Sequence, residues 1–148
     1  MFWGIFLACV AIDQISKYLI VSNLSLGEMA PFLGSFMQFK YILNTGASFS
    51  ILEGYQWLFI VLTILVTIVV IYLYYKSDKA DKIFRICLAV FLGGVWGNFI
   101  DRIRQGAVID FFYTGWFATF NVADCFINIS VFAIIAMLLF GKLGKKLK

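Results

Sequence analysis

WLFIVLTILVTIVVIYLYY, residues 57–75, runs for nineteen positions without one charged side chain. A helix of roughly 20 apolar residues crosses the ~30 Å hydrocarbon core of a bilayer, whereas a buried core helix in a soluble domain is typically shorter. The stretch therefore puts its chain in lipid. The rest of the 148 residues agrees: 63% are hydrophobic, 14% are charged, and the mean hydropathy is +0.96. Soluble domains carry roughly 25% charged residues, and a chain this short has no large interior in which to hide the apolar excess.

Outward from that stretch lie three more apolar runs, residues 2–21, 83–100 and 122–140. Asp13 and Lys17 interrupt the first, Asp101 and Arg102 close the third, and Asp124 stands near the start of the fourth. This predicts a membrane all-α core of four transmembrane helices in a single integral-membrane domain over residues 1–148. There is no internal repeat, low-complexity segment or domain boundary. The segments KSDKADKIFR (76–85) and KLGKKLK (142–148) hold eight of the twelve basic residues. An even number of spans separates them, so they share a side, and the positive-inside rule makes it cytoplasmic. The expected topology is N-in/C-in, with residues 22–56 and 103–121 outside. The net charge of +4 then reads as topology, with membrane lipids as the partner and no nucleic acid.

The first outer loop contains GSFMQFKYILN (34–44), where Met37, Phe39, Tyr41 and Leu43 alternate with other residues. That period predicts a short amphipathic sheet on the bilayer surface. GAVIDFFYTGW (106–116) can add a strand, with Gly106 and Gly115 as turn residues. FLACVA near the start is similar to a lipoprotein processing site, but no basic segment precedes it and only eight residues come before Cys9. It is read as a retained helix. Cys9, Cys87 and Cys125 are odd in number and sit in apolar sequence, as buried small hydrophobes do. Histidine is absent, which excludes Ser-His and Cys-His catalysis and His-ligated zinc. Acid–base work would fall to carboxylates, with Lys17 or a tyrosine as further options.

An ionisable side chain in a span costs on the order of 2.5–3.5 kcal/mol at mid-helix, so each needs a reason. Asp13 and Lys17, four apart, share a helical face as an internal ion pair or as part of a site. In GGVWGNFIDR (93–102), the three glycines suit close helix approach. Asn98 and Arg102 share a face; Arg102 either snorkels to headgroups or, with Asn98, holds a carbonyl or phosphate. VIDFFYTGWFATFNVAD (108–124) sets two acids among six aromatic residues with no cation between them. Asp110 lies just past the third span and Asp124 in the first turn of the fourth, so both can lie at one depth near the outer interface. Asp124 also has the role of a helix N-terminal carboxylate. Two close acids in a poorly hydrated site share a proton, the arrangement with which aspartic proteases activate water.

DQISK (13–17), NTGASF (44–49), GNFIDR (97–102), VIDF (108–111) and FNVAD (120–124), in this order between four spans, make the chain resemble the bacterial lipoprotein signal peptidases (signal peptidase II) along nearly its whole length. The resemblance implies an intramembrane aspartyl endopeptidase of the bacterial cell membrane, multi-pass, with its active site near the extracytoplasmic face. It would cut diacylglyceryl-modified prolipoproteins just before the lipidated cysteine, as a monomer, with no metal or cofactor. Asp110 and Asp124 would be the catalytic pair. Asn44, Gly46, Asn98, Arg102 and Asn121 would line the site, Arg102 and the asparagines holding substrate backbone. Asp13, Lys17 and Asp101 would support the fold, and the first outer loop would form most of an extracytoplasmic β-cradle. Two positions depart from the family pattern: Cys125 replaces a usual Ser after the second acid, and Ser48 replaces an Ala. Three rival readings remain. One is a proton-coupled transporter using the same carboxylates as a relay. Another is a divalent-cation-dependent lipid enzyme with Asp101, Asp110 and Asp124 as ligands. The third is a non-catalytic scaffold.

Overall fold

The computed structural model describes residues 1–34, 36–46 and 56–140. Ser48, the end of the NTGASF motif and the basic tail at 142–148 lie outside the described residues. Four helices are long and apolar enough to cross a membrane: α1 (Phe2–Asn23), α2 (Gln56–Lys76), α3 (Lys82–Gln105) and α4 (Val122–Leu139). The middle of the bundle is α3, which packs against the other three. Of its apolar span 44% is buried, against 6% for α2. That difference matches the sequences: α2 is mostly exposed and almost wholly apolar, while α3 faces protein and carries glycines, an asparagine and charges.

The third helix ends at Gln105, beyond the end expected at Ile100. Asp101 does not stop it, because its side chain turns inward to Lys17 at 2.8 Å instead of seeking water. Gly106 stops it, adopting φ 74° and donating its N–H to the Arg102 carbonyl at 3.0 Å, a left-handed cap that other residues adopt only with strain. The glycines of α3 mark where its neighbours come closest. A Cβ on Gly93 would fall 2.5 Å from Cys9 Cβ, and one on Gly94 would fall 2.5 Å from the Ala123 carbonyl oxygen. On Gly97 it would meet Asp13 Oδ2 at the same distance. So α1 and α4 both rest on the α3 backbone. At the end where α1 begins, Phe2, Val70, Phe84, Leu88, Ala89 and Leu92 form the apolar core. Cys9 and Cys87 are buried and Cys125 is half-buried, all as free thiols.

At the other end lies a three-stranded antiparallel sheet in the order β1 (Met29–Leu33), β2 (Met37–Asn44), β3 (Val108–Tyr113). Two of its strands come from the first loop: β2 falls within the expected 34–44, whereas β1 lies before it. Burial does not alternate along β2, however: almost every residue in it is half-buried, so both faces are partly covered. Phe39 stacks on Phe32 with ring centroids 4.3 Å apart and sits 5.9 Å from Phe112. These aromatic pairs tie the three strands together. The sheet sets Ile42 opposite Asp110 and Asn44 opposite Val108, which carries one acid of the 108–124 stretch to the mouth of the bundle.

Candidate active site

Asp110, at the middle of β3, is 1% exposed. Two asparagines hold it: Asn44 Nδ2 donates to Asp110 Oδ2 at 2.9 Å, and Asn121 Nδ2 to Asp110 Oδ1 at 2.7 Å. Asn44 is itself fixed, because its Oδ1 accepts the Gly46 N–H at 3.0 Å. Asp124 reaches the same place from α4. Asn121 is the N-cap of that helix, its Oδ1 accepting the Asp124 N–H at 2.9 Å, while Asp124 Oδ2 accepts the Asn121 N–H at 3.1 Å. This reciprocal capping box locks the first turn. One residue, Asn121, thus touches both acids. Asn98 closes the circuit, donating to Asp124 Oδ1 at 2.8 Å and accepting from Asn121 Nδ2 at 2.9 Å.

A charged layer lies behind the asparagines. Lys17 Nζ sits 2.8 Å from Asp13 Oδ2, 2.8 Å from Asp101 Oδ2 and 3.0 Å from Asn98 Oδ1, so its three protons have three acceptors. Asp13 Oδ1 accepts the Ala123 N–H at 2.9 Å, and Asp101 Oδ2 accepts the Ile109 N–H at 3.2 Å. One short segment of α1 therefore fastens α3, the base of β3 and the start of α4. Gln14 adds bonds to Asp101 Oδ1 at 3.0 Å and the Gly97 carbonyl at 3.1 Å. The expected Asp13–Lys17 pair exists, but it is a triad, and Asp101 is turned away from Asp110 and Asp124 into that triad. The three acids named in the metal reading do not converge.

In front of the acids is an open cavity of about 910 Å³. Asn44, Gly46, Asn98, Arg102, Asp110 and Asp124 form its polar wall; Met37, Trp116, Phe117, Ile127 and Phe132 are among its apolar lining. Asn121, expected on that wall, is 0% exposed and lies behind it. Arg102 donates to the Gly46 carbonyl at 3.2 Å with its guanidinium 4.4 Å from the Phe59 ring centroid, and its Nε is buried without a hydrogen-bond partner among the described residues. Gln14 and Phe59 were not singled out as site residues from sequence. Gln14 stood inside the quoted DQISK block, whereas nothing in the apolar α2 distinguished Phe59 from its neighbours. Cys125 reaches the cavity, so the departure at that position faces the site.

Burial pushes the Asp110 carboxyl from its ordinary 3.8 up to about 7, and the charge of Asp124 pushes the same way. Hydrogen bonds from Asn44 and Asn121, and the charge of Lys17, oppose that rise. An acid poised near neutrality beside a second carboxylate is suited to trade protons with a carbonyl compound held in the cavity.

A family model described as signal peptidase (SPase) II matches residues 5–140. The chain belongs to the signal peptidase II family. Relatives named lipoprotein signal peptidase include one from Listeria monocytogenes serotype 4a, 40% identical over 134 residues, covering 88% of this chain and 87% of that protein. Another, from Enterococcus faecalis, is 41% identical over 139 residues, covering 93% and 86%. A solved bacterial membrane enzyme matches with a TM-score of 0.91 at 31% identity, over 99% of this chain and 92% of its own. As a signal peptidase II, the chain is a protease, and its four apolar helices make it a multi-pass bacterial membrane protein.

Proposed function

We propose that this protease cuts diacylglyceryl-modified prolipoproteins just before the lipidated cysteine, with Asp110 and Asp124 as its catalytic pair at the extracytoplasmic face. The observation that carries the reading is the convergence of both acids on one cavity through a single residue, Asn121. The apolar part of the cavity suits a signal helix entering sideways from lipid with its acyl chains still in the bilayer. Membrane lipids are then the substrate's solvent, and one chain holds the whole site, which fits a monomer.

The division of labour follows from environment. Asp110, deeply buried and poised near neutrality, carries the proton; Asp124, half-buried on the cavity wall, is the partner that meets the attacking water. Water enters between the scissile carbonyl and Asp124, which takes one of its protons as the oxygen attacks the carbonyl carbon. Asp110 donates its proton to the carbonyl oxygen, giving a neutral gem-diol. Collapse returns that proton to Asp110, the C–N bond breaks, and Asp124 protonates the departing amine of the lipidated cysteine. General acid–base work of this kind contributes roughly 10²–10⁴ in rate. Arg102, steadied by Phe59 and the Gly46 carbonyl, offers its unpartnered Nε to a substrate carbonyl. Asn98 and Asn121 keep both acids aimed, and Asp13, Lys17 and Asp101 keep the asparagines in place.

The test is cleavage of a diacylglyceryl-modified prolipoprotein by purified protein in EDTA, beside Asp110→Asn and Asp124→Asn. The wild type should cut before the lipidated cysteine, and each variant, still folded, should lose on the order of 10³-fold or more. Near-normal activity in either variant removes that residue from the pair. Activity that needs added Mg²⁺ overturns the metal-free reading.

A further inference from the structure

Asn128, a polar side chain on the cavity wall, has no part in that mechanism. Asn128 stands one helical turn into α4 from Asp124, on the same face, and lines the same cavity. Its neighbours Ile127 and Ile129, and Phe132 one turn further, are apolar and also reach the cavity. Its Nδ2 donates to the Asp124 carbonyl at 2.9 Å. That bond orients the amide, because the oxygen would repel the carbonyl. It leaves Oδ1 and one Nδ2 proton facing outward, one free acceptor and one free donor on an exposed residue. An amide presented to lipid without partners is unfavourable, so its position in an apolar groove asks for a ligand.

The substrate narrows the choice of ligand, on the reading given under Proposed function. A diacylglyceryl thioether carries ester carbonyls and no donor, and the side chains of a signal helix are apolar. Among the groups such a substrate brings, its peptide N–H groups are the donors suited to the outward Oδ1. Those groups become free where the signal helix unwinds to present an extended scissile bond, since extended residues lose their i→i−4 partners. Beyond its first turn α4 runs away from the acids towards the side expected to be cytoplasmic. Asn128 therefore lies on the signal-peptide side of the bond to be cut, not the mature side. We infer that Asn128 is a substrate-binding residue that clamps the unwound backbone of the signal peptide just before the cleavage site. Its free acceptor takes a backbone N–H and its free donor a backbone carbonyl, as a neighbouring strand would. Such a contact reads extended backbone without reading side chains.

Asn128→Leu makes α4 more apolar and touches no buried partner, so it should fold at least as well as wild type. Initial rates are measured for wild type and Asn128→Leu on a diacylglyceryl-modified prolipoprotein and on three analogues N-methylated in turn at the three residues before the cleaved bond. Losing the clamp should raise KM about tenfold with kcat within about twofold. One N-methyl analogue should lose a similar factor with wild type and little with Asn128→Leu, because the bond is already gone. An unchanged KM in Asn128→Leu, or N-methyl penalties equal in both proteins at all three positions, overturns the inference. Wild-type cleavage abolished by Asp110→Asn, run in the same series, keeps the cleavage reading separate: if wild type does not cut, that reading fails first.

Discussion

At the end of the bundle where α1 begins, Phe2, Val70, Phe84, Leu88, Ala89 and Leu92 pack on one another without directional contacts. At the opposite end, Asp13, Gln14, Lys17, Asn98, Asp101 and Asn121 each hold at least two named atoms. The first region is held by shape, so a side chain of similar volume can replace another. The second is held by matched donors and acceptors, so removing one group strands the others in a poorly hydrated interior. Stability at one end is a matter of filling space. At the other it is a matter of matching donors to acceptors, and there the carboxylates of Asp110 and Asp124 are held to a fixed aim.

Near-isosteric swaps at the two ends should break the comparison most sharply. Lys17→Met leaves Asp13 and Asp101 facing each other without a cation and should cost about 3–5 kcal/mol, enough to unfold much of the protein. Leu92→Met at the apolar end should cost less than about 1.5 kcal/mol. Thermal unfolding in one detergent measures both, and equal losses would erase the distinction. Next come glycines. Gly94→Ala drives a methyl to 2.5 Å from the Ala123 carbonyl and 2.9 Å from Ile127 Cγ1. It should cost about 1–3 kcal/mol and also lower activity, since the backbone that must yield carries Asp124. Gly4→Ala, in α1 at the apolar end, meets nothing within 4 Å and should be neutral or stabilising by up to about 1 kcal/mol. The third effect is titration. With the Asp110 carboxyl raised to about 7, the proton that the proposed mechanism draws from it is lost above that pH, and kcat/KM should fall roughly tenfold per unit on the alkaline side. The folded state also binds this proton more tightly than the unfolded chain does. Its stability should therefore decline as pH rises from about 4 to about 7 and level off above. A flat activity profile between pH 6 and 9 would show that Asp110 does not supply the proton.

Much of this was legible in residue order because lipid imposes long apolar runs with few exceptions. All four spans lie within a few residues of their expected places, and the largest error, at the end of α3, has a local cause. Asp101 reads as the edge of a span until its partner is known, and that partner, Lys17, belongs to another helix. The strand β1, with the sequence Met-Ala-Pro-Phe-Leu, gives no period-two signal and carries Pro31, so only its pairing with β2 reveals it. The place of Asn121 was half-visible. An asparagine three residues before an aspartate at a helix start is a capping signature, but that its amide would also reach Asp110 depends on where β3 lies.

The contact between Asp13 and Lys17 has a further meaning in the order of synthesis. The first helix leaves the ribosome before α3 and α4 exist, so it meets the membrane carrying a carboxylate and an ammonium whose later partners, Asp101, Asn98 and the Ala123 N–H, have not yet been made. Four residues apart and 2.8 Å from each other, the two groups neutralise one another within a single turn. The helix can thus enter the bilayer as an uncharged unit and wait there, holding in reserve the remaining bonds that will later fix α3, β3 and α4 around the site.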